Sequence, residues 1–335
     1  MKWMGAMSRY GMTVPFGGVP LGEQREWFEE LVDLGYTDAW SAEADGADGF
    51  TPLALASVWA PSLRLGTAII PAYTRGPACF AQSVGSMAQA APGRFAIGIG
   101  SSSNVIVEGW NGIPFEEPYQ QVQAMVRFLR DSLTGEKVTK DYGRFSVRSF
   151  RLGVVPPQPV PILVAALRSG MLRLAGREGD GAIINWLSPD DVLTVVPEVH
   201  AGAQQAGATA EEATQKEIVA RIFVIPNPDA EVARGVARRL IASYLNVPVY
   251  ADFHRWLGRE EELTPMWELW SAGDRAEALE AIPDHVVDAL VVHGTPEACK
   301  ETIGRYMENG VTTPALAVIP VGVDLRESIR ALAPS

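Results

Sequence analysis

The chain has 335 residues, 47% hydrophobic and 20% charged, which is the balance of an ordinary folded protein rather than a disordered one. Its formal charge of −12 excludes a general nucleic-acid binder, because neutralising phosphates needs clustered Lys and Arg. No apolar run approaches the roughly 20 residues that cross a bilayer, and Arg9 stands where a secretion signal needs an apolar stretch, so a cytoplasmic protein without membrane contact is expected.

Strand-like and helix-like segments alternate along the whole chain, the pattern of parallel α/β architecture. A strand over Arg9 to Val14 leads into a helix from Gly22 to Leu34, with Phe28, Leu31 and Val32 on one face. A second strand, Asp38 to Ala42, gives way to the acidic loop EADGADGFTP and a helix from Pro52, with Thr51 as its expected N-cap. The third strand, Leu63 to Ile70, precedes a helix over Pro77 to Ala90. The fourth, Arg94 to Ile99, runs into Gly100 and three serines, then an amphipathic helix over Pro118 to Ser132.

A polar insert over 135–157 reads as a hairpin, and its proline-rich tail VVPPQPVP as a rigid lead-in to the fifth strand, Ile162 to Ala165. Then follow a helix over Arg168 to Arg177, a strand over Gly181 to Asn185, a helix over Pro189 to Ala206 and a strand over Ile218 to Ile225. Residues 228–310 are mostly helical, with an insertion around 246–283. Pro314 to Ile319 is the last strand, followed by a short helix near Leu325 to Leu332. Eight strands separated by helices close most naturally into a (β/α)₈ TIM barrel, so residues 1–335 are read as one barrel domain with two insertions.

In such barrels the chemistry lies at the carboxyl ends of the strands. After the second strand, Glu43 is either a hydrogen-bonding or proton-handling acid or a solvated loop charge; Asp45 and Asp48 suit the latter. After the fourth, Gly98 and Gly100 with Ser101, Ser102 and Ser103 either cradle a polar ligand or form a plain strand-to-helix turn. After the fifth, Arg168 at a helix start either attracts an anion or pairs with Glu178 or Asp180. Asn185 and Trp186 follow the sixth; the indole is either core or the wall of a flat ligand. The aromatic residues Tyr244, Tyr250, Trp256, Trp267 and Trp270 either pack helices together or cap the mouth.

Other chemistries lack their motifs. Cys79 and Cys299 show no ligand spacing, and the histidines at 200, 254, 285 and 293 are scattered, so no metal site is expected. There is no GxSxG elbow, no Walker loop and no Rossmann GxGxxG after the first strand. Of the five lysines, Lys216, just before a strand, is the best candidate for Schiff-base chemistry and still a poor one.

Five stretches, LVDLGYTDAWSAE, LRLGTAIIPAYTRGPACFAQ, PGRFAIGIGSSSNVIVEGWNG, VPILVAALRSGMLRLAGREGDGAIINWLSP and YLNVPVYADFHRWLG, together resemble the luciferase-like family, and within it the actinobacterial deazaflavin-dependent oxidoreductases. The resemblance runs from about Gly11 to Pro320. It implies a luciferase-like TIM barrel, coenzyme F420 as cofactor with FMN as the alternative, a small-molecule substrate and a homodimer formed through helices near strands two and three. It places the ring against a non-prolyl cis peptide at Ala68–Ile69, and the phosphate and ribityl groups at Ser101 and Ser102 and at Leu167, Arg168, Gly170 and Met171. The acid that approaches the ring in sugar-phosphate-oxidising relatives matches Glu43; Glu108 is the other candidate for handling a proton. Asn185 and Trp186 are the candidate substrate residues. Those relatives have a histidine, an acid and a lysine where this chain has Ala44, Ser103 and Ser188, which points away from a sugar-phosphate substrate. An FMN-dependent two-component monooxygenase and a non-catalytic flavin-binding barrel are the alternative readings.

Overall fold

The computed structural model describes residues 9–334; the reading of the first eight residues lies outside them. Eight parallel strands form a ring: β1 (Gly11–Val14), β2 (Asp38–Ser41), β3 (Arg64–Thr67), β4 (Phe95–Gly100), β5 (Ile162–Ala165), β6 (Gly181–Asn185), β7 (Glu217–Ile225) and β8 (Thr313–Val318). Each pairs with the next, and β8 pairs with β1 through Gly11 and Ala315, so the sheet closes as the alternation predicts. Two short strands extend it, Ile70–Pro71 beside β4 and Val292–His293 beside β7.

Most helices start and stop where their sequence signals lie. Pro77–Ala90 and Pro118–Ser132 each carry proline in the first turn, where a missing N–H costs nothing. The expected cap at Thr51 is corrected. Thr51 is already helical, and Asp48 Oδ1 takes the N–H groups of Phe50 at 2.9 Å and Thr51 at 3.1 Å. A carboxylate further back in the loop therefore replaces the hydroxyl as the cap.

The ring's interior is packed from one side chain outward. Trp40 on β2 fills the middle with Ala96, Leu163, Ile183, Val219 and Ala315. Its indole fits because β3 offers Gly66, where an added Cβ would lie 2.2 Å from the ring. At the amino-terminal end the interior is charged. Arg64 forms a two-pronged pair with Glu217 at 2.6 and 2.7 Å and reaches Asp38 at 3.2 Å, while Arg9 approaches Asp38 at 3.4 Å. Burial pushes the Glu217 carboxyl up, but the hydrogen bonds and charge of Arg64, with smaller help from Arg9 and Thr313, outweigh it and hold it below its ordinary value.

The two insertions have separate roles. The strands Val138–Asp141 and Ser146–Phe150 pair antiparallel, and Tyr142 and Phe145 of their turn, with Phe150, pack on Phe128 of the helix Pro118–Ser132. Between β7 and β8 the helices Ala230–Leu245, Pro248–Trp256, Glu260–Ala272, Arg275–Glu280 and Asp284–Leu290 bury a second apolar cluster that includes Trp186, Phe223 and Ala317. That cluster brings the helix Pro248–Trp256 up to the carboxyl ends of β5 and β6.

Candidate functional site

The mouth of the barrel is built around a break in the third strand. β3 stops at Thr67, the Ala68–Ile69 peptide is cis, and pairing with β4 resumes at Ile70. The predicted single strand to Ile70 is thus two pieces. Across the break, Thr67 Oγ1 accepts from Gly98 N at 2.8 Å and donates to Gly98 O at 2.9 Å, replacing the interrupted ladder. Gly98 has to be glycine, because a Cβ there would lie 1.9 Å from the Thr67 carbonyl oxygen. The Ile69 side chain reaches over to β4, with Cδ1 3.0 Å from where a Cβ on Gly100 would be, and belongs to the inner apolar cluster with Ala68 and Ala165.

The loop after β2 is fastened to this break. Glu43 donates its N–H to Ile69 O at 3.1 Å, and its carboxylate accepts from Arg75 at 2.5 Å and Gly49 N at 3.0 Å. Arg75, which sequence reading did not single out, lies 5.0 Å over the Phe50 ring and 3.9 Å from Asp48. Only its place in the loop TRGP after the third strand pointed to it. Glu108, in contrast, is exposed on a wide helical turn at Val105–Trp110, where the structure does not bring it to Glu43.

After β4, Ser101 and Ser102 are half-buried, and Ser102 adopts a left-handed backbone (φ 62°) that turns the chain sharply. After β5, the helix Ser169–Glu178 begins with no side-chain cap, and a Cβ at Gly170 would meet nothing within 4 Å. Its first-turn amides thus open onto free space, an arrangement suited to an anionic or polar group. Arg168 sits at this start and pairs with Asp252 at 3.2 Å, not with Glu178 or Asp180. Those acids are taken by Arg127 and Arg130 of the helix Pro118–Ser132.

On the far side, Asn185 at the end of β6 donates to the Tyr250 hydroxyl at 3.4 Å. Burial pushes the Tyr250 phenol up, opposed by the Asn185 hydrogen bond and by the nearby charge of Arg221. Trp186 is 1% exposed, stacked on Phe223 at 4.2 Å and against Tyr244 at 4.8 Å, so its ring lies in the packing beneath the helical insertion. Both readings of the aromatic helices therefore hold in part: Tyr244 and Trp267 pack, while Tyr250 reaches the mouth. Burial, aided by the charge of Arg259, brings His254 down to about 3, so it stays neutral and unsuited to acid–base work near pH 7.

The profile of the family described as luciferase-like monooxygenase matches residues 5–313. The chain is 26% identical to the 5,10-methylenetetrahydromethanopterin reductase of Methanolobus tindarius, across 88% of this chain and 90% of that protein. It is also 26% identical to the F420-dependent glucose-6-phosphate dehydrogenase of Mycolicibacterium fortuitum, across 84% and 85%. Its fold superposes on the coenzyme F420-dependent tetrahydromethanopterin reductase from Methanopyrus kandleri with a TM-score of 0.80 and 21% identity, covering 98% of both chains. With the profile spanning nearly the whole barrel, this chain belongs to the luciferase-like monooxygenase family.

Proposed function

We propose that the protein is an oxidoreductase that holds coenzyme F420 in the barrel mouth and exchanges hydride between it and a small organic substrate. The observation that carries this reading is the uncapped helix start at Ser169 after β5, on the same side of the mouth as the Ile69 side chain, which meets Ala165 of β5 beside Gly100; the two features suit the polar tail and the flat ring of one ligand. The relative named as an F420-dependent dehydrogenase supports the choice of deazaflavin over FMN.

The residues present fit the coenzyme. Ala68 and Ile69 would bear against the ring, and the Ser101 and Ser102 hydroxyls with the backbone at Leu167, Arg168, Gly170 and Met171 would hold the ribityl and phosphate groups. When bound, the deazaflavin supplies the hydride chemistry. The protein positions the partners and excludes water. Glu43, tied to the Ile69 carbonyl through its own N–H, is the acid fastened to the break in β3 and would handle a proton there, whereas Glu108 is exposed on the turn Val105–Trp110.

The substrate is not read as a sugar phosphate. Ser188, standing where a phosphate-binding lysine would be expected, is 5% exposed and donates its N–H and hydroxyl to Asp191 at 2.7 and 2.8 Å. A homodimer through the helices beside β2 and β3 belongs to the same proposal, supported by the exposed Ala54 and the 77% exposed Val58 on the helix Thr51–Trp59. A cytoplasmic location is supported by the two free thiols, Cys79 and Cys299. Among the described residues no helix is long and apolar enough to cross a membrane. Fluorescence titration with F420 and, separately, FMN tests the reading: saturable binding of F420 with much weaker FMN binding is expected, and a preference for FMN would overturn it.

A further inference from the structure

Inner-facing residues of β7 alternate as Glu217, Val219, Arg221 and Phe223, with Glu217 in the charged layer at one end and Val219 in the Trp40 cluster. Arg221 therefore projects from the inner face toward the mouth, where its guanidinium lies 5.1 Å from the Phe223 ring. In a ring of eight, β7 stands opposite β3, so Arg221 faces the Ala68–Ile69 break across the chamber. Among the described residues no carboxylate lies within ion-pair distance of it, and its Nε is buried without a hydrogen-bond partner. This is unusual in a chain with 40 acids: the Arg221 side chain is half-buried, and its desolvated Nε is costly without a partner.

The surrounding groups share the deficit. Thr13, on the inner face of β1, has a buried Oγ1 with no partner. Asn185, the neighbour of Arg221 in the β6–β7 register, has only its long bond to Tyr250. The inner positions nearby are short: Ala165, Ala315 and Ala317. Arg221, Thr13 and Asn185 thus stand on the inner faces of their strands with the Tyr250 hydroxyl as the one protein partner among the described residues.

We infer that Arg221 is the anion receptor of the substrate chamber and that the substrate carries a carboxylate, received by the terminal Nη groups of the guanidinium, the part of the side chain left open. Two Nη groups match the two oxygens of a carboxylate, which favours it over a single-point acceptor. Asn185 and Tyr250 orient the far side of the bound group. This assignment rests on reading the mouth as the catalytic chamber and extends that reading to the class of substrate.

The test uses benzoate and cinnamate against their amides, benzamide and cinnamamide, as probes of the purified full chain, followed by tryptophan fluorescence and thermal shift, with F420 affinity measured in parallel. The carboxylates are expected to bind roughly 10- to 100-fold more tightly than the amides. R221Q should abolish that difference, and R221K should restore part of it, while F420 affinity stays unchanged. R221M should melt no lower than the wild type without ligand, since it removes an uncompensated charge. Equal binding of acid and amide, or wild-type benzoate affinity in R221Q, would overturn the inference. A loss of F420 affinity in R221Q would overturn it too, by giving Arg221 to the cofactor. Arg221-dependent benzoate binding in a chain that binds no F420 would uphold the receptor while removing the F420 reading.

Discussion

Replacing Arg64 should damage this protein more than replacing Glu217, although the two form one ion pair. The side chains of Arg64, Glu217 and Asp38 are 11%, 18% and 0% exposed, so the network is close to fully desolvated. Breaking a buried pair by removing one partner costs about 3–5 kcal/mol, chiefly through the charge left behind. In Glu217→Gln, Arg64 keeps Asp38 at 3.2 Å, so the loss should be about 2–3 kcal/mol. In Arg64→Met, two carboxylates are stranded: Glu217 loses both of its short bonds, and Asp38 keeps only Arg9 at 3.4 Å and the Thr37 hydroxyl at 2.6 Å. That loss should reach about 4–5 kcal/mol.

Thermal melts at pH 7 read the order directly, with Glu217→Gln lowering Tm by on the order of 5 °C and Arg64→Met by more. The pH dependence gives a second reading. Since the folded-state pKa of Glu217 lies below its ordinary value, its contribution is fully present above the unfolded pKa. It is lost as pH falls through the folded value. The gap between wild type and Glu217→Gln should accordingly narrow in acid. Equal losses in the two variants, or a gap that widens in acid, would refute the network as described. F420 affinity of the Gln variant should stay unchanged, because this layer lies at the end of the barrel remote from the mouth.

Two further predictions concern the mouth. Ser101→Ala with Ser102→Ala should weaken F420 binding by the loss of two hydrogen bonds of about 0.5–1.5 kcal/mol each, and fluorescence titration showing wild-type affinity would remove the β4 turn from the site. Ile69→Ala should loosen F420 binding through lost ring contact with only a small change in Tm, because Ile69 is half-exposed at the chamber surface; unchanged affinity with a large stability loss would make Ile69 a core residue instead.

What the sequence disclosed and what it concealed follow the range of the interactions involved. The helices Pro77–Ala90 and Pro118–Ser132 were legible to the residue because a proline in the first turn and the spacing of apolar residues are local signals. The Thr51 cap was misplaced because Asp48, three residues earlier, competes for the same amides through a loop whose shape is not local. The partner of Arg168 was misread for a related reason. Glu178 and Asp180 are near in sequence but face the helix Pro118–Ser132, and Asp252 comes from an insertion 84 positions on. Arg221 did leave a trace, a charge inside the apolar run EIVARIFVI, but its meaning depends on the inward alternation of β7 and on the lack of any acid nearby. Pattern shows that such a residue is out of place; only closure of the ring shows what it faces.

The two ends of the barrel treat polarity in opposite ways, and the contrast argues that the mouth is completed by a ligand. At the amino-terminal end Arg64 is matched against Glu217 and Asp38, and even the hydroxyl of Thr313 donates to Glu217 at 3.1 Å. At the carboxyl end Arg221 and Thr13 stand unmatched on the inner faces of β7 and β1, the same strands that end or begin in the satisfied layer. Each buried group left without a partner costs about 1–3 kcal/mol. A chain that pairs its charges so fully four residues away on β7 has no packing reason to leave these open. The deficit is the part of the interaction that a bound anion would restore, so ligand binding at the mouth should raise Tm with the logarithm of ligand concentration above Kd, and the unliganded barrel should be weakest at its carboxyl end.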